Sequence, residues 1–297
     1  MSPSGRLVVV GTGLIGGSIA LGARDSGFAG AIVGVDASQA RLDEGREAGV
    51  FDETGLPQDL CAEDLVVVAT PTLTVPGVLN DLAGLGEAFA GGATVTDVAS
   101  VKATVREAAE SLAGGIPPRF VAGHPISGSE RSGLAAARPD LFRDRRVILT
   151  PESDTEGAAL ARVEALWRAL GAEVMRMTVA DHDRILAMTS HLPHLLAFAL
   201  VDTLGREAER ETIFGLAAGG FRDFTRIASS DPTMWADIFA ANGNATVDIL
   251  DRLLTDLGLL RSAIAKGDRD ALMDTFERAK RLRDTLLPAN LRTEEGA

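Results

Sequence analysis

At 297 residues the chain is long enough for two domains with well-filled cores. Its formal charge of −13 carries no nucleic-acid footprint, so any site for an anion must supply its own arginines. A single cysteine, Cys61, excludes an internal disulfide and suits the cytoplasm.

Leu7–Val10 is a short, continuous apolar run, as a buried parallel strand would show, and no basic, apolar leader precedes it. Gly11-x-Gly13-x-x-Gly16 follows at once and opens a helical pattern. Gly11 permits a tight turn, Gly13 lets a pyrophosphate approach the backbone, and Gly16 lets the helix pack close to the strand. The first helical N–H groups, at Leu14, Ile15 and Gly16, then face the phosphates. A second apolar strand, Ala31–Val35, ends in Asp36, and an acid roughly 20 residues past the third glycine meets the ribose hydroxyls. That carboxylate would repel a 2′-phosphate, so NAD is expected over NADP. Arg41 is read as lying on the solvated face of the next helix. The bland alternative is a structural glycine turn.

Further strand candidates are Leu65–Ala69, Thr94–Asp97, Phe120–Gly123, Arg146–Leu149 and Glu173–Met177, with helical patterns between them. One such helix opens at Ser153 and closes near Gly171. This alternation implies an α/β fold with a doubly wound (Rossmann), parallel-rich sheet over residues 1–178. From Asp181 almost to Leu287 the pattern is helical, broken at Gly205, Gly219-Gly220, Asp231-Pro232 and Gly267. Residues 179–297 are therefore expected to form an all-helical domain that closes over substrate, forms a dimer, or does both. Its most apolar stretch, Ile185–Val201, is interrupted by Ser190, His191, Pro193 and His194, so no membrane span is expected.

Several clusters carry candidate chemistry. Thr70-Pro71 either lines the cofactor groove or simply ends its strand. Thr94–Lys102 is a strand end running into a helix, with Ser100 placed as N-cap. The Ser100 hydroxyl could also face the nicotinamide and a substrate hydroxyl. In Gly123-His-Pro-Ile-Ser-Gly-Ser-Glu130, His124 follows a strand at the carboxyl edge, where doubly wound folds bind ligands. Its imidazole could take a proton from a substrate hydroxyl while hydride leaves the same carbon. The alternative is an ordinary loop histidine.

Asp183 and His194 are close to three helical turns apart and so share a face, from which both are expected to contact substrate, and Pro193 should bend that helix near His191 and His194. The two histidines suit a cleft-lining helix or, alternatively, a dimer seam. No third or fourth ligand has suitable spacing for zinc, and no metal is expected. In Gly219–Trp235, Arg222 and Arg226 are i,i+4 neighbours whose guanidinium forks could meet one anion, with Phe221, Phe224 and Trp235 alongside. Solvated arginines are the plain alternative.

Together these blocks resemble the prephenate/arogenate (cyclohexadienyl) dehydrogenases of tyrosine biosynthesis, from Arg6 to about Leu287. Gly123–Glu130, Ser190–His194 and Gly219–Trp235 carry the resemblance. It implies that His124 is the base on the substrate's ring hydroxyl, assisted by Ser100, and that Arg226 grips a substrate carboxylate. It also implies that His194, Glu130, Arg222 and Trp235 line or gate the pocket; His191 is the other histidine that could contact substrate. The implied reaction is NAD-dependent oxidative decarboxylation of prephenate, arogenate or both, by a homodimer without the mutase or regulatory domain that some members add. A β-hydroxyacid-type dehydrogenase would expect a lysine on the helical half, and none lies between Lys102 and Lys266. A non-catalytic NAD-sensing dimer would not need His124, Ser100 and Arg226 together.

Overall fold

The computed structural model describes residues 5–85, 92–128 and 131–286. By compactness it divides into residues 1–246 and 247–297.

In the first unit, β1 (Arg6–Val10), β2 (Ala31–Val35), β3 (Glu53–Thr54), β4 (Leu65–Val68), β5 (Thr94–Asp97) and β6 (Phe120–Val121) form an all-parallel sheet ordered β3-β2-β1-β4-β5-β6. Their near-continuous apolar sequences follow from burial on both faces. Leu7 and Val9 of β1 enter one core with Leu65 and Val67 of β4, while Val8, Val10, Val66 and Val68 enter the other. Helices α1 (Leu14–Asp25), α2 (Gln39–Glu47), α3 (Val75–Gly84), α4 (Lys102–Glu110) and α5 (Gly157–Ala169) accompany these strands. The short β3 has no strong apolar signal and was not expected from sequence.

Phe120–Gly123 is not one strand. The chain leaves the parallel sheet after Val121, and β7 (Gly123–Pro125) joins a second sheet with β8 (Arg146–Leu149) and β9 (Glu173–Arg176). β7 runs antiparallel to β8, with His124 opposite Ile148, and β8 runs parallel to β9. His124 is thus held by strand pairing rather than carried on a loop. The second sheet shares a core with the first, through Val147, Leu149 and the fully buried Trp167. Helix α5 starts at Gly157, later than Ser153, because Thr155 Oγ1 accepts from the Glu152 N–H and makes a local turn first. Gly171, at φ 82°, ends it.

Helix α6 (Val179–Leu186) continues through a π turn (Ala187–His191) into α7 (Leu192–Gly205). Pro193 lacks an N–H and crowds the carbonyl four residues back, and the widened turn absorbs both effects where a simple bend was expected. The run Val179–Gly205 is long and apolar enough to cross a membrane by length and composition alone. Three of its polar residues, His182, Asp183 and His191, are buried in the fold.

Helices α8 (Arg210–Gly215), α9 (Gly219–Thr225) and α10 (Pro232–Ala241) complete this unit, and α11 (Gly243–Lys266) begins in it. Asp231 caps α10 by accepting from the N–H groups of Thr233 and Met234. The second unit holds the remainder of α11 and α12 (Arg269–Leu286), joined at Gly267 with φ 65°.

Candidate active site

The glycine loop fits the roles that its spacing implies. A Cβ on Gly16 would lie 1.9 Å from the Gly11 carbonyl oxygen and 2.9 Å from Val9 Cγ1, so this glycine lets α1 seat against β1. Gly11 has φ 98° and passes so close to Ala69 and Thr70 that a Cβ would lie 2.5 Å from the Ala69 oxygen. At Gly13 a Cβ would meet nothing within 4 Å. Gly13 is the N-cap of α1 and offers no side-chain cap, so the first-turn N–H groups of Leu14, Ile15 and Gly16 remain available to an anion.

Asp36 Oδ2 accepts from both the Thr12 N–H and the Thr12 hydroxyl, each at 2.9 Å, and Oδ1 accepts from the Ser38 N–H. Burial pushes this carboxyl up, but those bonds and the charge of Arg41 outweigh it and hold it below its ordinary 3.8. Arg41, expected on a solvated face, is exposed yet places Nη1 3.8 Å from Asp36 Oδ1. Thr70 Oγ1 is buried with no hydrogen-bond partner among the described residues, and Pro71 is exposed at the start of a short 3₁₀ turn. A dinucleotide fits this set: an uncapped helix start, open space over Gly13, an ionised acid and an unsatisfied hydroxyl.

All four histidines of the chain meet beside the carboxyl edge. His124 Nδ1 lies 2.9 Å from His182 Nε2, and His182 Nδ1 lies 2.7 Å from Asp183 Oδ1. The carboxylate only accepts, so His182 Nδ1 carries a hydrogen and its Nε2 is bare. His124 must then donate from Nδ1, which leaves its own Nε2 lone pair free. Burial, followed by the positive potential of His182, Lys102 and His191, pushes His124 well below its ordinary 6.5, so it is a neutral imidazole at physiological pH.

Asp183 has a second task. Its two oxygens accept from the Lys102 and Ala103 N–H groups at 2.9 and 2.8 Å, so it caps α4 from 81 residues away in sequence. This displaces the expected cap: the N-cap position falls on Val101, without a side-chain bond, and the half-buried Ser100 makes no capping contact. Asp183, expected to touch substrate, spends its carboxylate on His182 and α4. Asp183 and His194 also meet different neighbours, because the π turn between them breaks the straight three-turn spacing.

The Asn242 amide donates to the Asp183 carbonyl at 2.9 Å and lies 3.2 Å from His191 Nδ1. His191 therefore carries its hydrogen on Nε2, which is buried without a partner among the described residues. Burial lowers its pKa to about 4, with the Asp183 charge opposing and His182 and His194 reinforcing. His194 donates from Nδ1 to the Ser190 carbonyl at 2.8 Å and stacks on Trp235, with ring centroids 3.7 Å apart. Its pKa is lowered by burial and by the nearby Arg226 charge, against the Ser190 bond.

Trp235 packs on Val101, next to Ser100, and its buried Nε1 has no partner among the described residues. Arg222 lies in α9, and Arg226 follows its last residue in helical backbone and opens a 3₁₀ turn; both are exposed. Glu130 lies outside the described residues. His182, Lys102 and Asp97 were not singled out from sequence. Their neighbours in the 94–102 and 181–194 runs drew notice, but their pairing depends on tertiary contact.

Residues 19–176 match the family model for the prephenate dehydrogenase nucleotide-binding domain, and residues 178–278 match that for the prephenate dehydrogenase dimerization domain. The chain belongs to the prephenate dehydrogenase family. It is 34% identical to the prephenate dehydrogenase of Bacillus subtilis over 94% of this chain and 76% of that protein. It is 33% identical to the cyclohexadienyl dehydrogenase of Zymomonas mobilis over 94% of each. Among solved structures, the A. aeolicus prephenate dehydrogenase in complex with hydroxyphenyl propionate and NAD+ aligns with a TM-score of 0.84 at 35% identity, covering 94% of this chain and 96% of that one. The chain is an NAD-dependent oxidoreductase.

The loop geometry separates two substitutions that look alike on paper. Gly13→Ala should fold normally but weaken NAD binding about tenfold or more, because its methyl enters the space over the helix start. Gly16→Ala should lower thermal stability, by the ~1–3 kcal/mol typical of overpacking, because its methyl meets backbone. Thermal melts and NAD titrations of both variants check this, and a Gly13→Ala protein that binds NAD normally would contradict it.

Proposed function

We propose that oxidative decarboxylation of prephenate, arogenate or both, the step that leads to tyrosine, runs in this chain with His124 as the general base. The observation that carries this is the Asp183–His182–His124 chain, which leaves a bare, uncharged Nε2 on His124 at the carboxyl edge. Gly11, Gly13, Leu14, Ile15, Gly16, Asp36, Thr70 and Pro71 hold the dinucleotide. Bound there, NAD supplies the hydride acceptor. His124 Nε2 accepts the ring-hydroxyl proton, Ser100 orients that hydroxyl, and loss of the ring carboxylate as CO₂ restores aromaticity.

Holding the pieces in register and stabilising charge is most of what such a site must do. His182 and Asp183 act as positioning residues. The Nε2–H of His191 and the N–H of Trp235, without partners among the described residues, are donors suited to an anionic substrate, and His194 offers an acceptor nitrogen. Arg226, beside His194, binds a substrate carboxylate, with Arg222 and Glu130 at the rim. Residues 1–178 carry the cofactor half and residues 179–297 the substrate and dimer half. Leu254, Leu259, Ile264, Phe276 and Leu286 are exposed on α11 and α12, which supports a homodimer; light scattering that returned a single-chain mass would end that part of the reading.

His124→Asn should reduce kcat with prephenate and NAD by about a hundredfold or more, with NAD affinity nearly unchanged. The base must be neutral, and its pKa is lowered in the fold. In the unmodified enzyme kcat should therefore hold as pH falls past 6.5 and drop only at lower pH. Retention of most of the activity by the variant would remove His124 from the chemistry.

Arg226→Ala should raise KM for prephenate by roughly tenfold to a hundredfold, the cost of a charged hydrogen bond, and leave KM for NAD unchanged. Arg226→Lys should restore only part, since a point charge lacks the bidentate fork. A loss confined to NAD binding or to thermal stability would make Arg226 structural.

A further inference from the structure

Lys102 is wholly buried, and so is its partner Asp97. Asp97 Oδ2 accepts from Lys102 Nζ and from the Ala99 N–H, while Oδ1 accepts from the Gly123 N–H at 3.1 Å. Lys102 Nζ also donates to the Gly123 carbonyl at 2.6 Å. Gly123 immediately precedes His124. The backbone N–H of the same lysine donates to Asp183 Oδ1, the atom that also holds His182. These contacts close a ring: Lys102 N–H to Asp183, Asp183 to His182, His182 to His124, along the chain to Gly123, and back to Lys102 Nζ.

We propose that Lys102 is a positioning residue for the family reaction, closing this ring so that His124 keeps its place on β7 and its imidazole stays uncharged. The proposal rests on the reading of His124 as base. A buried ion pair is a costly way to hold two strands together, since apolar residues of similar volume often do as well. Its retention here has a reason if the ammonium also acts on the imidazoles. His182 on α6 touches His124, and the charges of Lys102 on α4 and His191 in the π turn also act on it. Each disfavours imidazolium. Burial lowers the Lys102 pKa, the charges of Asp97 and Asp183 oppose that, and the ion pair with Asp97 is what holds the side chain as an ammonium. Asp97 bonds to Lys102 and to the N–H groups of Ala99 and Gly123, so the carboxylate and the ammonium both anchor the residue that precedes His124.

The test uses the full chain. Lys102→Met removes the cation at similar length, and Asp97→Asn/Lys102→Met also removes the carboxylate that would be left buried and unpaired. Both should lower kcat about tenfold to a hundredfold, as small misplacement of a reacting group does. NAD affinity should change less than about twofold. The acid limb of kcat, and the His124 ring titration followed by NMR, should both move up toward 6.5. A folded variant that keeps its kcat and its acid limb overturns the proposal.

A measurement on the unmodified enzyme guards against misfolding of both variants. Lys102 must be an ammonium at pH 7, and side-chain NMR can separate it from the exposed Lys266 and Lys280. A neutral Lys102 amine would overturn the proposal. Failure of the base reading looks different, because His124→Asn would then keep its activity while the His124 titration still responded to Lys102.

Discussion

The active-site half of the molecule depends on where one carboxylate goes. Asp183 could have faced solvent from the first turns of α6. Instead it reaches the N-terminus of α4, accepts from the Lys102 and Ala103 N–H groups, and holds His182 with the same oxygen pair. Burial pushes its carboxyl up, but His182 and the two N–H groups outweigh that and hold it below its ordinary value, so it stays ionised. An ionised Asp183 dictates the His182 tautomer, and His182 dictates that of His124. The proton inventory of the site thus follows from a helix cap. Losing this carboxylate would orphan two backbone donors and an imidazole in one step.

The cofactor half is organised by the same economy. Thr12, inside the glycine loop, bonds twice to Asp36 at the end of the neighbouring strand, so the acid proposed to face the dinucleotide also shapes the glycine loop. Arg41 near Oδ1 lowers the local negative potential, which softens the discrimination that a bare carboxylate would impose against a 2′-phosphate.

Much of the fold was legible because its signals are local. The parallel strands are continuous apolar runs, and the glycine spacing, Asp231-Pro232 and Gly267 mark turns and caps that need no tertiary context. The departures that shape the site are non-local. Phe120–Gly123 looks like one strand because nothing in its composition says that the chain changes sheets at Ala122. Ser100 is a good capping residue by type, yet a carboxylate from another helix takes that work and moves the cap to Val101. The motif around His124 is readable locally, whereas His182, 58 residues further on, becomes its partner only in three dimensions. Lys102 gave no sign of burial, since a lysine at a helix start ordinarily stays in water.

The central claim is a proton assignment: at neutral pH His124 is uncharged, with its hydrogen on Nδ1 and a bare Nε2. Nitrogen-15 NMR of the imidazoles in the unmodified enzyme at pH 7 reads this directly. The account predicts a protonated, pyrrole-like Nδ1 and an unprotonated, pyridine-like Nε2 for His124, with the same pattern for His182. An imidazolium, or the opposite tautomer with hydrogen on Nε2 of His124, would contradict it.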